Sequence, residues 1–321
     1  MKRPFLFVPV FLMAGAVSAL ANVDSGLLAL VPAGAKVIGA LDVTRARNSD
    51  FGQYLLAKAQ ADDVHFQEMI NETGFDPRRD LQNIVFATSA PAGGTGSSGS
   101  FAILARGNFD QNKIRALATS KGHGTIVLYG GVDMIVDAKS PAQQTAIGFL
   151  DVGVAVMGDL NTLKQIIDNR AAPTVLDSDF KSKIQNIGTA NDAWFVSTVG
   201  APNSWGASSG QPGPGQAQMK ALQGVVQASG GVKFGATIDT TIDAVTRSAQ
   251  DAQSLSDVIR FMASMVQMQR QSDPRAGILA NALDGMTLQN NGAAVHLAVS
   301  MPEKSLEQLA ESGAAHAGAA H

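Results

Sequence analysis

Short apolar segments separated by glycine turns are the feature that most limits how this chain of 321 residues can fold. Segments 125–129 and 132–137 flank the pair Gly130-Gly131, and two more segments follow at 146–150 and 152–157. Connections this short cannot hold a crossover helix, so these strands must pair antiparallel. Between the strand groups, apolar residues recur at helical spacing. The sequence therefore predicts an α+β protein with predominantly antiparallel sheets.

A strand–helix–strand–strand–helix order occurs near both ends of the chain. Ile38-Gly39-Ala40 resembles Phe234-Gly235-Ala236, and Asp76-Pro77-Arg78 resembles Asp273-Pro274-Arg275, at nearly constant spacing. This pattern predicts two related β-α-β-β-α modules produced by an internal duplication, which should share one strand order. Chance matching of short tripeptides is the alternative.

Stretches rich in Gly, Ser and Pro indicate the boundaries between these parts. Segment 89–100 is typical of a flexible hairpin loop, and 200–216 is the clearest linker. The predicted organisation is a signal peptide at 1–21, a first α+β module at 22–120, a strand meander with helices continuing the first domain at 121–199, a flexible linker at 200–216, a second α+β module at 217–312, and a disordered tail at 313–321.

Helix starts and ends can also be predicted locally. Ser49 or Asp50 is suited to cap a helix that begins near Phe51. Ser300 and Glu303 have the spacing of a capping box for the last helix. Residues 217–228 are predicted to be helical, and 232–239 and 242–247 are predicted to be two strands.

The first residues have the composition of a secretory signal peptide. Lys2 and Arg3 precede an apolar stretch, and Ala19-Leu20-Ala21 forms a small-x-small cleavage site. The apolar run is short for a membrane span, although an uncleaved anchor is the alternative. After cleavage the sequence predicts no membrane span and an exported protein, periplasmic or extracellular.

Charge and cysteine content exclude several classes of protein. Lys plus Arg number 24 against 27 Asp plus Glu, so nothing in the composition favours binding to nucleic acid. The chain has no Cys, which excludes disulfides, thiolate metal sites and a lipid-anchoring lipobox.

Three short motifs resemble catalytic signatures but lack the structural context that the chemistry needs. Residues 94–99 fit G-x-G-x-x-G but precede a strand, and 206–210 fit G-x-S-x-G inside the linker. Residues 178–181 fit S-x-x-K without its partner motifs, and a capping role for Ser178 explains that residue equally well. The sequence therefore predicts no catalytic residues and no cofactor.

Methionines form the only candidate metal site. Met262, Met265 and Met268 recur every three residues and could offer thioethers to Cu(I). The same row is one apolar face of an amphipathic helix, which favours the interpretation of adaptable core filler. Five His residues are present without an H-E-x-x-H motif.

Two features are candidates for contact with a partner. Arg78 and Arg79 lie in the densest charge cluster and could bind a carboxylate or phosphate, or pair with the neighbouring Asp76 and Asp80. Trp205 stands in the Gly/Pro linker with little predicted core around it.

Two runs stand out in the segment 31–81: one from Phe51 to Leu56, and Gly74-Phe75-Asp76-Pro77-Arg78-Arg79-Asp80-Leu81. Through these runs the segment resembles a family of uncharacterised exported bacterial proteins with no assigned activity. This resemblance implies export and no particular chemistry.

These observations favour an exported, non-catalytic binding or interaction protein of unknown ligand, whose partner is a protein or a cell-envelope component. A secreted or periplasmic hydrolase with an unrecognised active site is the alternative, and a periplasmic copper-binding protein is a third, weaker hypothesis. The oligomeric state is not determined by the sequence.

Overall fold

The computed structural model describes residues 19–20, 24–62, 64–89, 100–120, 122, 124–137, 144–172, 174–200 and 221–318. Most of the predicted signal peptide, the loop motif at 94–99, nearly all of the predicted linker and Trp205 lie outside the described residues.

Helices and strands occur in short runs along the described chain. The strands are β1 (Ala19–Leu20), β2 (Val37–Asp42), β3 (Leu81–Thr88), β4 (Phe101–Gly107), β5 (Gly124–Tyr129), β6 (Val132–Asp137), β7 (Thr145–Asp151), β8 (Val154–Asp159), β9 (Asp192–Ser197), β10 (Val225–Lys233), β11 (Thr237–Thr246), β12 (Thr287–Asn291) and β13 (Ala294–Pro302). The helices are α1 (Ser25–Ala29), α2 (Val43–Asn48), α3 (Asp50–Asp62), α4 (Val64–Thr73), α5 (Pro77–Asp80), α6 (Gln111–Ser120), α7 (Leu160–Asn169), α8 (Ser178–Ala190), α9 (Ala249–Met268), α10 (Pro274–Asp284) and α11 (Glu303–Gly318).

The described strands form one sheet in the order β12-β13-β11-β10-β9-β2-β3-β4-β8-β7-β6-β5. The short strand β1 lies outside this order and pairs with β9. All the neighbouring strands run antiparallel. The α+β fold with an antiparallel sheet is therefore confirmed. Its outermost described strands are β12 at one edge and β5 at the other.

Strand β9 lies in the middle of this sheet and pairs with both β2 and β10. The predicted linker at 200–216 thus connects two adjacent strands, since β9 ends at Ser197 and β10 begins at Val225. The sheet runs without a break past the predicted boundary between the two modules.

The predicted internal duplication is not confirmed. In the first module the strands follow the order β2-β3-β4, so the strand before the helices pairs with the first strand after them. In the second module the order is β11-β13-β12, so the strand before the helices pairs with the second strand after them. The two modules share a sequence of elements but not the strand order that duplication predicts.

Two local predictions in the last third are wrong. Residues 225–228, predicted as helix, belong to strand β10, whose Gly230 and Gly231 leave room for side chains of the neighbouring segment. A Cβ on Gly230 would lie 2.6 Å from the ring of Phe195, and one on Gly231 would lie 2.2 Å from the side chain of Asn191. The predicted break at 240–241 is also absent, because β11 is continuous there.

Helix α11 extends to Gly318, beyond the module boundary predicted at 312, and the described part of the predicted tail is therefore helical. Residues 319–321 lie outside the described chain.

Three clusters of buried apolar side chains hold the layers together. The largest contains Ile38, Leu104 and Trp194 and is covered in part by α7 and α8. A second packs α9 on the sheet, and a third joins α3 to the β10–β11 region through Phe51 and Ile238. None of the described helices combines the length and apolar character needed to cross a membrane.

The hairpin between β5 and β6 depends on a left-handed turn. Gly130 and Gly131 have φ values of 54° and 79°, and a Cβ on Gly130 would also lie 2.7 Å from Ile167. We expect Gly130→Ala to lower the free energy of unfolding by about 1–2 kcal/mol. Gly34→Ala, where no atom lies within 4 Å of the added Cβ, is the matched control and should change stability by less than about 1 kcal/mol. Urea denaturation of both variants measures the difference, and equal stabilities would contradict the turn geometry.

Candidate functional site

A surface cavity of about 370 Å³ lies where the start of α3, the β10–β11 connection and the start of α11 meet. Segments far apart in the sequence contribute its ionisable groups. The lining residues are Arg45, Asn48, Ser49, Asp50, Asp192, Phe234, Gly235, Ala236 and Glu303.

Arg45 and Asp192 form an ion pair at this cavity. Nη1 of Arg45 lies 3.1 Å from Oδ1 of Asp192, and Nε lies 3.5 Å from Oδ2 of Asp42. The other oxygen of Asp192 accepts a hydrogen bond of 2.8 Å from the backbone N–H of Phe234. Asp192 is buried, so this pairing compensates the cost of placing a carboxylate there.

Glu303 is the first residue of α11 and is only 5 % exposed. Its Oε1 accepts a hydrogen bond from the backbone N–H of Phe51, in the first turn of α3. Its own N–H donates to the carbonyl of Ala236 at 3.3 Å. A carboxylate from one helix thus satisfies a free N–H at the start of another, where the helix dipole favours negative charge.

Burial raises the pKa of Glu303 above its ordinary value, and the negative charges of Asp50 and Glu307 raise it further. The hydrogen bond from Phe51 opposes these effects by stabilising the ionised form. Glu303 therefore keeps its proton to a higher pH than an exposed glutamate. Raised carboxyl pKa values are a property of groups that donate protons in active sites, although packing alone also produces them.

The predicted capping box at Ser300 and Glu303 is wrong. Ser300 belongs to strand β13, and its hydroxyl donates to Asp239 at 2.6 Å on the neighbouring strand β11. Glu303 contacts α3 and not the backbone of Ser300. Ser300 and Glu303 have the spacing of a capping box, but each side chain bonds to a residue far away in the sequence instead.

Ser49, another polar residue of the cavity, bonds to the local backbone. The hydroxyl of Ser49 donates to the carbonyl of Ala46 at 2.8 Å and accepts from Gly52 N–H at 3.0 Å. Ser49 therefore caps α3, as the sequence predicts. The sequence did not point to the contact between Glu303 and Phe51, because the two residues lie far apart in the chain.

Arg78 and Arg79 are engaged by their own neighbours. Nε and Nη2 of Arg78 each donate to Asp76 at 2.8 Å. Arg79 donates to both oxygens of Asp80, at 2.8 and 2.7 Å, and to the carbonyl of Gly74 at 3.0 Å. These hydrogen bonds hold the pKa values of Asp76 and Asp80 below their ordinary values.

The turn that carries these arginines is attached to α2. Nη1 of Arg47 donates to the carbonyls of Arg78 and Arg79, at 2.5 and 3.1 Å. Neither Arg78 nor Arg79 lines the cavity. The geometry matches the structural interpretation of this charge cluster, and partner binding by these two residues stays a prediction.

Helix α9 exposes a continuous apolar face in its second half. Met262, Met265 and Met268 are 46 %, 41 % and 76 % exposed, and Phe261 beside them is 51 % exposed. The interpretation of these methionines as core filler is therefore wrong. The buried residues of α9, including Leu255, lie in its first half, where the helix packs on the sheet.

The end of α9 is fixed to α10. Arg270 forms an ion pair with Asp284, and Nε2 of Gln267 lies 3.3 Å from the same carboxylate. The exposed face is consequently presented on a helix that is held at both ends, and not on a loop.

The structure gives no contact that supports a functional role for the remaining predicted site residues that it describes. Trp205 and the motif at 206–210 lie outside the described residues, whereas Trp194 is buried in the core. Asp177 caps α8 by accepting from the N–H groups of Asp179 and Phe180, so the predicted capping role of Ser178 is wrong.

Metal ligands do not cluster in the part of the chain that the structure describes: no group of three or more His, Asp or Glu side chains could hold an ion there. His296 in β13 lies 2.7 Å from Asp243 on the adjacent strand. Its position agrees with a surface histidine that has a local partner.

No protein-family model matches the chain, and no curated protein matches it significantly. Two solved structures, crystal forms I and IV of TP0453, match with TM-scores of 0.47 and 0.49 and 10 % sequence identity. They cover 91 % and 90 % of this chain and 98 % and 96 % of that chain. A similarity at this level carries no argument about function.

The raised pKa of Glu303 predicts a specific dependence of stability on pH. Below its ordinary value of 4.5, Glu303 is protonated in both the folded and unfolded chain. As the pH rises, the unfolded chain releases this proton first, so the free energy of unfolding falls until the folded group has also ionised. Glu303→Gln cannot ionise and keeps an acceptor for Phe51. We expect this variant to gain stability relative to wild type as the pH rises above 4.5.

Glu303→Ala separates charge from hydrogen bonding. It removes the acceptor for the Phe51 N–H and should be less stable than Glu303→Gln at every pH, by about 1–3 kcal/mol. Urea denaturation at several pH values measures all three proteins. A difference between wild type and Glu303→Gln that does not change with pH would show that Glu303 has an ordinary pKa.

Proposed function

We propose that this chain is an exported binding protein that engages a protein partner through the exposed apolar face of α9, formed by Phe261, Met262, Met265 and Met268. The observation that carries the proposal is the exposure of these four large apolar side chains on one ordered helix. Contiguous apolar surface of this kind marks interaction sites in folded proteins.

The spacing of the apolar residues indicates how a partner would bind. Phe261, Met265 and Met268 stand at positions i, i+4 and i+7 of α9 and therefore lie on one side of the helix. This is the arrangement of an amphipathic helix that inserts into an apolar groove of another protein. Methionine side chains are flexible and polarizable, which lets such a face adapt to the surface of the groove.

Export is supported by the N-terminal residues. Lys2 and Arg3, the apolar stretch and Ala19-Leu20-Ala21 together have the order of a secretory signal. Cleavage after Ala21 would remove β1, which pairs with β9 outside the main strand order, and would leave the other strands in place.

The signal-peptide proposal predicts the start of the mature chain. Mass spectrometry of protein recovered from the periplasm or medium should give an N-terminus at Asn22. Ala21→Arg places a large charge at the cleavage site and should leave the longer precursor attached to the membrane. Ala29→Arg, outside the predicted signal, is the control for the charge itself. Recovery of a full-length, soluble chain starting at Met1 would contradict export by this route.

The α9 proposal predicts which positions contact the partner. A photo-crosslinking amino acid at Met265 should give a protein adduct in cells, whereas the same group at Arg260, exposed on the same helix, should not. Phe261→Gln combined with Met265→Gln should reduce the yield of adduct formed from Met262 at least about tenfold, because apolar anchors at the centre of an interface dominate affinity.

Met265→Leu is the matched control for chemistry. It preserves apolar area and removes the thioether, so binding of a protein partner should change little, whereas binding of Cu(I) would be lost. Adducts confined to lipid, or equal adduct yields at Met265 and Arg260, would contradict the proposal.

A hydrolase is the second candidate, and the cavity with Glu303 is the observation that favours it. A buried carboxyl with a raised pKa beside Arg45 and Asp50 has the properties of a general acid. Turnover of an ester, phosphate or glycoside substrate that disappears in Glu303→Gln, with folding retained, would favour this hypothesis over the binding protein.

A further inference from the structure

Strand β5 ends the sheet with an apolar, uncharged edge. Of the described strands only β6 pairs with it, and the residues Gly124–Tyr129 include no charged side chain and no proline. Ile126 and Val127 are 39 % and 40 % exposed, and Leu128 is 70 % exposed. Edge strands of stable monomers are usually protected by charges, prolines or bulges, and β5 has none of these.

Hydrogen-bonding groups on this edge point away from the sheet. Gly130 and Gly131 form a two-residue turn with positive φ, so Tyr129 and Val132 flank the turn as a hydrogen-bonded pair. Every second residue back along β5 bonds to β6 in the same way. The N–H and C=O groups of Ile126 and Leu128 therefore face outward, available to another strand.

We infer that β5 pairs antiparallel with β5 of a second copy of this chain, which joins two sheets across a twofold axis at Val127. In this register Val127 lies opposite Val127 of the partner subunit, and Ile126 lies opposite Leu128 of the partner subunit. Apolar side chains meet apolar side chains at each of these positions, and the outward groups of Ile126 and Leu128 make four backbone hydrogen bonds across the axis.

Charged side chains lie near both ends of β5, and at the turn end Asp168 accepts a hydrogen bond of 2.8 Å from the hydroxyl of Tyr129. Nη2 of Arg170 donates to the carbonyl of Gly130 at 2.9 Å, at one end of the strand. Asp137 pairs in register with Gly124, at the other end. Antiparallel pairing places each Arg170 near the Asp137 end of the opposite subunit, about two strand spacings or roughly 10 Å away.

The opposite edge of the sheet does not fit β5 as well. Strand β12 has the sequence Thr-Leu-Gln-Asn-Asn and presents mainly exposed polar side chains. Pairing of β5 with β12 of the next subunit would set mainly polar side chains against the apolar edge, and this head-to-tail contact would form a ring or a filament. Pairing of β5 with itself buries the apolar edge and closes as a dimer.

The pairing predicts how charge at Val127 affects association. Sedimentation velocity of purified wild-type protein should show a dimer, and Val127→Lys should raise the dissociation constant at least about tenfold, because two like charges meet at the axis. Gln289→Lys adds the same charge on β12 and should leave the dimer unchanged. Circular dichroism and urea denaturation establish that each variant is folded.

Mixing two variants tests the register directly. Val127→Glu should also be monomeric alone, but an equimolar mixture with Val127→Lys should form heterodimers, since opposite charges then face each other across the axis. A wild-type protein that is monomeric at 100 μM would overturn the inference. A dimer unaffected by Val127→Lys, or larger assemblies sensitive to Gln289→Lys, would overturn it equally.

Discussion

The sheet depends on the accommodation of Phe195 in its central strand. Phe195 lies in register with Gly39 of β2 on one side and Gly230 of β10 on the other. A Cβ on Gly230 would collide with the Phe195 ring, and one on Gly39 would approach the backbone carbonyl of Trp194 at 3.3 Å. Two glycines thus let an aromatic side chain occupy the centre of the sheet, where β9 joins strands from both ends of the chain. Asp192, in the same strand, extends this junction to Arg45 and to the Phe234 N–H.

This arrangement explains why the two ends of the chain resemble each other locally but differ in strand order. Gly39 lies inside a strand against Phe195, whereas Gly235 lies in the connection between β10 and β11. The two Asp-Pro-Arg motifs do share a structure, because Asp76 and Asp273 each cap a helix with proline in its first turn. That structure is determined within three residues and places no condition on strand order.

At the cavity, contacts between residues close in sequence could be predicted, whereas contacts between distant segments could not. The cap at Ser49 depends on groups three residues apart and followed from the sequence. The contact of Glu303 with Phe51 spans 252 residues, and that of Arg45 with Asp192 spans 147. No spacing rule connects such residues, because only the folded sheet brings them together. The antiparallel strands were predictable because their turns are short, as Gly130-Gly131 shows.

Helix periodicity likewise establishes that a face is apolar but not what covers it. In α9 the apolar residues contact the sheet at Leu255, which is 5 % exposed, but face solvent at Met265, which is 41 % exposed. The same holds for strand β5: alternation in its sequence predicts that it has two faces, but only the strand order shows that one of its edges is unpaired among the described strands.

If apolar surface on an ordered element is retained for binding, both regions belong to interfaces. The α9 face would then bind a different protein, and the β5 edge would bind an identical chain. The two are distinguishable because a charge at Val127 should leave adducts at Met265 intact.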